Sequence, residues 1–173
     1  METFAAVRLF VDDWRWADVP FHIRAGKNLP FTATELLIQL KRPPQVVFKG
    51  IAPSPPNYLR FRLSPDIVIA LGASALTSGE RVDAMPVELE LTRHPTADSL
   101  EPYERLLESA ARGEAILFAR EDEVEAAWAV VDPVLGTATP CHAYAPQTWG
   151  PPEAERLAPP GGWHRLEETA PNA

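Results

Sequence analysis

The stretch of this chain best suited to chemistry is Arg24-Ala25-Gly26-Lys27, a glycine flanked by two cations. It follows the apolar run Val19-Pro20-Phe21-His22-Ile23, so the glycine falls where a strand gives way to a turn. Glycine there lets the backbone turn tightly or approach a ligand closely. A lysine at such a turn presents a compact positive charge suited to an anionic oxygen. The same spacing also describes an ordinary solvated loop lysine, so the surrounding residues must decide between the two.

Other reactive residue types form no constellation. His22 sits in the strand before Arg24 and is expected to pack; His94 ends a strand beside Pro95, and His142 and His164 lie near the C-terminus. None has metal-ligand spacing to a cysteine or carboxylate, so no metal site is expected. Cys141 is the only cysteine, which excludes an internal disulfide and suits a reducing cytoplasm. No run of about 18 apolar residues offers a membrane span, and Met1-Glu2-Thr3-Phe4 does not open a secretory signal. A net charge of −8 disfavours nucleic acid as a partner. That charge is uneven: residues 1–60 carry eight Lys/Arg against five Asp/Glu, and residues 61–173 carry eight against nineteen. The basic excess around Arg24 and Lys27 favours a small phosphate ester.

The elements that position these residues follow from pattern. Residues 4–11, 20–24, 35–41, 58–63, 66–75 and 87–93 read as strands, bounded by turn residues. In Tyr58-Leu59-Arg60-Phe61-Arg62-Leu63 the alternation puts Leu59, Phe61 and Leu63 on one face and Tyr58, Arg60 and Arg62 on the other. Connections too short for helical crossovers imply antiparallel pairing. Pro43-Pro44 and Pro53-Ser54-Pro55-Pro56 frame a loop. From Pro102, apolar residues at helical spacing predict a helix to Gly113, a further helix over 114–120, and a third opened by Glu121-Asp122-Glu123 and stopped near Pro133. Trp14, Trp16, Trp128 and Trp149 are expected in core or interface positions. The fold class is therefore α+β within one domain, 1–173. A mostly antiparallel multi-stranded sheet (1–95) is followed by helices packed on one face (100–138) and an irregular Pro/Gly-rich tail (139–173).

Several blocks together resemble the C-terminal domain of glucose-6-phosphate dehydrogenase. Asp13-Trp14-Arg15-Trp16-Ala17-Asp18-Val19-Pro20-Phe21 and Arg24-Ala25-Gly26-Lys27-Asn28-Leu29 are similar to that family's N-W-R-W-x-G-V-P-F-Y-x-R-T-G-K-x-L. The likeness continues through Asn57-Tyr58-Leu59-Arg60-Phe61-Arg62-Leu63-Ser64-Pro65, Pro102-Tyr103-Glu104-Arg105-Leu106-Leu107, Glu123-Val124-Glu125-Ala126-Ala127-Trp128, Val131-Asp132-Pro133 and Trp149-Gly150-Pro151. Order and approximate spacing hold over nearly the whole chain.

The resemblance implies a parent reaction in which NADP oxidises glucose 6-phosphate to 6-phosphogluconolactone, the entry to the pentose phosphate pathway. It assigns Lys27, after Gly26, to the substrate. Thr32 stands where the family has a second basic residue, and Ser64 where a glutamine is common; both departures lower the expected affinity, since charge-assisted bonds are the stronger ones. Arg24 and Arg62 match arginines near a structural nucleotide in some members, though solvated strand arginines in surface ion pairs fit equally. The glycine-rich coenzyme turn and the family's D-H-Y-L-G-K base segment do not occur in these residues, so no catalytic residue is assigned and no cofactor is expected to bind tightly. The leading expectation is a substrate-binding and dimerisation domain, inactive alone. The alternative is a non-catalytic association module that pairs through its sheet with itself or with a full-length or split dehydrogenase partner.

Overall fold

A computed structural model of the chain describes residues 2–42, 55–76, 84–94, 102–136 and 138–166. They fall into two compact units, Met1–His94 with Tyr144–Ala173, and Pro95–Ala143. The Pro43-Pro44 and Pro53-Ser54 signals lie outside the described residues.

The first unit holds two antiparallel sheets. In the smaller, β1 (Phe4–Leu9) pairs β2 (Phe21–Gly26) from Phe4↔Gly26 to Leu9↔Phe21. A short 3-10 turn, Trp14–Trp16, joins them, with the Asp13 carboxylate accepting from the Arg15 amide at 2.8 Å. The larger sheet runs β3 (Thr34–Gln39), β4 (Tyr58–Ser64), β5 (Ile67–Leu76) and β6 (Ala84–Arg93), each strand beside its sequence neighbour. Antiparallel pairing and the α+β order agree with the pattern of the sequence.

Alternation gives the larger sheet two unlike faces. One carries Leu36, Ile38, Leu59, Phe61, Ile69, Leu71, Leu89 and Leu91, aligned in register across the four strands. The other carries Glu35, Tyr58, Arg60, Arg62, Glu88 and Glu90. On that polar face, where β5 lies between Arg60 or Tyr58 and the glutamates, it contributes Val68, Ala70 and Gly72, all buried. Their small size is what lets β4 reach β6. Tyr58, Gly72 and Glu88 stand in one register row, and Arg60, Ala70 and Glu90 in the next. The Tyr58 ring lies over Gly72 so closely that an added Cβ would come within 2.1 Å of it. Tyr58 and Arg60 thus span the middle strand to donate to Glu88, and Arg60 also to Glu90.

The tail is strapped onto this unit. A 3-10 segment, Pro152–Leu157, buries Ala154, whose carbonyl accepts from the Trp163 indole at 3.1 Å. The Phe4 ring is the clasp. A Cβ on Gly26 would meet it at 2.7 Å and one on Gly150 at 2.3 Å, while Tyr144 packs on it with ring centroids 5.4 Å apart.

The second unit contains α1 (Pro102–Arg112) and α2 (Glu121–Val131). α1 ends at Gly113, whose φ of +71° closes the last turn, with the Glu114 amide donating to the Ser109 carbonyl at 2.9 Å. At the start of α2, Glu123 accepts from the Arg120 amide, so the acidic run is the helix opening expected. α2 passes at Asp132 into a 3-10 turn containing Pro133.

One expectation fails and another is narrowed. Residues 114–120 form no helix but a turn, with Phe118 donating to the Ala115 carbonyl: the segment between Gly113 and the Arg120 cap is too short to repay helix nucleation. Of the core or interface positions expected for the tryptophans, the core is ruled out for Trp14 and Trp128, which are 85% and 55% exposed. The sequence pattern marks an apolar face without saying whether this chain covers it.

Gly150 has φ +102° beside the Phe4 ring, whereas Gly161 has φ +97° with open space around its Cβ position. Gly150→Ala should therefore cost about 2–3 kcal/mol, combining backbone strain with overpacking, and Gly161→Ala only about 1 kcal/mol from strain. Thermal unfolding followed by circular dichroism should place Gly150→Ala several degrees below Gly161→Ala; equal midpoints would remove Phe4 as the clasp.

Candidate functional site

The turn after β2 is held by its backbone and leaves its charge free. The Lys27 amide donates to the Thr3 carbonyl at 2.8 Å, and the Lys27 carbonyl accepts from the Tyr144 hydroxyl at 2.7 Å. Asn28 follows with φ +55°, a conformation asparagine tolerates better than most residues, and its carbonyl accepts from the Gln147 amide at 2.8 Å. Three main-chain anchors, two of them from the tail, fix where the Lys27 side chain starts. The ammonium itself is exposed and makes no hydrogen bond or ion pair among the described residues. Gly26 is required here because the Phe4 ring fills its Cβ position, not for a positive φ. Thr32, five residues on, is exposed.

Arg24 is not a solvated strand arginine. Its guanidinium carbon lies 4.8 Å from the centroid of Trp149 and 5.2 Å from that of Trp163, and Nη2 donates to the His164 carbonyl at 3.2 Å. Burial lowers its pKa from the ordinary arginine value, with Glu155 opposing and Arg165 assisting. Trp149 also meets Phe31 edge-on at 5.5 Å.

Arg62 departs further from the solvated surface ion pair that is one of its two readings. It is only 4% exposed, and Nε donates to the Glu35 carboxylate at 2.8 Å. The reason is the ladder: β3 places Glu35 opposite Arg62, so a buried cation meets a buried anion. The Glu35 side chain is 1% exposed and faces Arg62 at 2.8 Å, Arg60 at 3.5 Å and His164 Nε2 at 2.6 Å. With the carboxylate as acceptor, His164 carries its proton on Nε2. Arg24 and Arg62, on different sheets, are thereby joined through one tail residue: the His164 carbonyl takes Arg24 and the His164 ring takes Glu35, which holds Arg62.

Glu88 completes the polar face. Partial burial disfavours its charge, but hydrogen bonds from Tyr58 and Arg60 outweigh that and hold its pKa below the usual carboxylate value. The same hydrogen bond to Glu88 raises the Tyr58 pKa. Burial opposes the charge on Arg60, yet Glu88 and Glu90 raise its pKa on balance.

The arrangement can bind anions at Lys27, and it is poor in groups able to move a proton. His22 is tied to the Leu157 carbonyl at 2.7 Å and packs edge-on to Trp163, as a packing role requires. His164 is committed to Glu35, and His94 pairs at the surface with Asp66 at 3.0 Å. Among the described residues no three His, Cys, Asp or Glu side chains gather as a metal site.

The family model for the glucose-6-phosphate dehydrogenase C-terminal domain matches residues 1–164. The chain belongs to that family. It is 38% identical over 171 residues to the glucose-6-phosphate 1-dehydrogenase of Aggregatibacter actinomycetemcomitans, a match covering 95% of this chain and 34% of the relative. It is also 38% identical over 162 residues to glucose-6-phosphate 1-dehydrogenase 1 of Mycobacterium tuberculosis, covering 90% and 33%. Among solved structures, the Mycobacterium avium enzyme superposes with a TM-score of 0.83 at 36% identity, covering 99% of this chain and 37% of that one. A second dehydrogenase, solved in complex with its substrate glucose 6-phosphate, gives a TM-score of 0.74 at 27% identity, covering 95% and 35%. The chain thus spans about a third of the length of the relatives it matches. No helix among the described residues is long and apolar enough to cross a membrane.

The sequence pointed to Lys27 and the two arginines but missed the residues that hold them. Glu35, Tyr144 and His164 give no local signal, because each acts on a partner at least 25 positions away.

Removing Glu35 leaves two largely buried guanidinium groups without their shared anion, so Glu35→Ala should destabilise the fold by about 3–5 kcal/mol. Glu35→Gln, which keeps a hydrogen-bond acceptor, should cost less; chemical denaturation measures both. Glu88 predicts an acid response with a definite sign. A depressed folded-state pKa contributes stability above the unfolded carboxylate value, and that stability fades as pH falls through the folded value. Unfolding free energy followed downward from pH 5 should therefore drop less steeply in Glu88→Gln than in the native chain.

Proposed function

We propose that these residues are the C-terminal substrate-binding and association domain of a glucose-6-phosphate dehydrogenase, in which Lys27 binds the phosphate of glucose 6-phosphate. One observation carries the reading: the Lys27 backbone is fixed at both its amide and its carbonyl while its ammonium is left exposed. An anchored cation with no partner among the described residues is suited to a ligand, because its position is set before binding. Gly26 belongs to the site by keeping the turn close to Phe4. Thr32 offers a hydroxyl in place of a charge.

The parent reaction is NADP-dependent oxidation of glucose 6-phosphate to 6-phosphogluconolactone. It needs a hydride acceptor site and a general base, and these 173 residues taken alone are proposed to be inactive. Arg24 and Arg62 are the proposed contacts to a structural NADP. A phosphate would compete with Glu35 for Arg62, and a planar base would compete with two indoles for Arg24. Both arguments support weak nucleotide binding by the chain alone. The cytoplasm is the proposed location.

A second reading, an association module working through the sheet, is favoured by the apolar face of β3–β6. The two readings are compatible, since one uses the turn after β2 and the other the sheet.

Isothermal titration with glucose 6-phosphate tests the first. Lys27→Ala should weaken binding roughly tenfold, and Thr32→Arg should strengthen it by a similar factor, as expected for gain or loss of one charge-assisted contact. Unchanged affinity in Lys27→Ala would remove the lysine from the site. Turnover of NADP that tracks the purified chain would contradict the proposed inactivity.

A further inference from the structure

We propose that residues 144–164 form a detachable strap that completes the turn at Lys27 only while it is docked, with Tyr144 as the positioning residue for the lysine; the proposal rests on the assignment of Lys27 to the substrate given above. The strap runs along one face of β2. His22 Nδ1 donates to the Leu157 carbonyl at 2.7 Å, and the Arg24 guanidinium lies 4.8 Å from the Trp149 ring and 5.2 Å from the Trp163 ring. Beyond the strand, the Tyr144 hydroxyl and the Gln147 amide donate to the carbonyls of Lys27 and Asn28. His22 and Arg24 are two positions apart and so share a face of the strand. The strap follows that face from the first residues of β2 to the turn past its end.

Its attachment is of the kind that opens as a unit. No described residue of the strap lies in a strand, and only Pro151 and Ala154 of it are buried. Its own main-chain bonds are local, with the Ala154, Ala158 and Gly162 amides each donating to the carbonyl three residues back. Among the described residues one main-chain bond, from Gln147 to Asn28, ties it to the rest of the unit; the other ties run through side chains. A segment held this way opens at lower free energy than a ladder. Its far end carries the firmest tie. His164 Nε2 donates to the buried Glu35 carboxylate at 2.6 Å, and hydrogen bonds to a charged group are the stronger ones.

Undocking changes the turn directly. With the strap in place both carbonyls of the turn have donors, and Asn28 is held at φ +55°. The Tyr144 hydroxyl also lies 3.1 Å from the Thr3 carbonyl, so one group ties the strap to the start of the chain and to the turn together. Without the strap the turn keeps only the bond from the Lys27 amide to Thr3. A ligand must then order the lysine as it binds, which lowers its affinity. Linkage makes the effect reciprocal: a ligand at Lys27 favours the docked strap by the factor by which docking favours the ligand.

Amide hydrogen exchange on the full chain tests this, with Gln147 reporting docking, Lys27 reporting the turn and the β4–β5 ladder serving as reference. Tyr144→Phe keeps the ring against Phe4 and removes only the hydroxyl. It should speed exchange at Gln147 and Lys27 and weaken glucose 6-phosphate binding, measured by titration calorimetry, roughly fivefold, the worth of one neutral hydrogen bond. His164→Ala acts off the turn, at Glu35. It should speed the same two amides and lower the affinity as well, leaving the reference amides unchanged. Saturating glucose 6-phosphate should slow exchange at Gln147 in the native chain and not in Lys27→Ala. Unmoved exchange in Tyr144→Phe, or an effect of His164→Ala confined to the residues around 164, would overturn the strap. Native affinity in Tyr144→Phe where Lys27→Ala binds weakly would overturn the positioning role. If Lys27→Ala binds glucose 6-phosphate as the native chain does, the substrate reading fails instead, and the exchange rates of Tyr144→Phe and His164→Ala still decide the strap.

Discussion

A single buried carboxylate organises the first unit. Glu35 places one negative charge between Arg60, Arg62 and His164, with its side chain almost wholly removed from water. Such a group is tolerated only when its partners surround it, because an isolated buried ion costs far more than a paired one returns. The requirement acts as a constraint on geometry. β3 must sit at one register against β4, the tail must return so that His164 reaches Oε1, and the residues between must be small enough to let the arginines lie flat.

The small residues of β5 answer the last demand. Ala70 and Gly72 leave a trough across the middle of the sheet, and Arg60 and Tyr58 lie in it to reach Glu90 and Glu88. Charge is thus distributed over three strands without a side chain from the central strand in the way. Glu88 keeps its charge to lower pH through the donors that Tyr58 and Arg60 supply.

The tail ties that constraint to the turn at Lys27. The segment that supplies His164 to Glu35 also supplies Tyr144 and Gln147 to the turn at Lys27 and two indoles to Arg24. Lys27 is consequently set by Thr3 and by the start of the described tail, while its own charge makes no contact among the described residues. The turn at Lys27 and the apolar sheet face at Leu89 lie on different elements. The chain belongs to the glucose-6-phosphate dehydrogenase C-terminal family and spans about a third of its relatives' length.

Local order was legible in the residues themselves. The alternation of Tyr58 to Leu63 gave the two faces of β4, Gly113 and Pro133 marked helix ends, and Arg24-Ala25-Gly26-Lys27 marked the turn, because period, φ preference and a missing amide are properties of neighbours in sequence. The 114–120 segment was misread for the same reason: residue types that favour a helix do not reveal that too few of them lie between two breaks. What only the tertiary structure decided was which charges are buried and which are free. Arg62 and Lys27 look alike as basic residues beside strands, but one is opposite Glu35 in a ladder and the other is not. Pairing across a sheet joins residues tens of positions apart, and no local pattern encodes the partner.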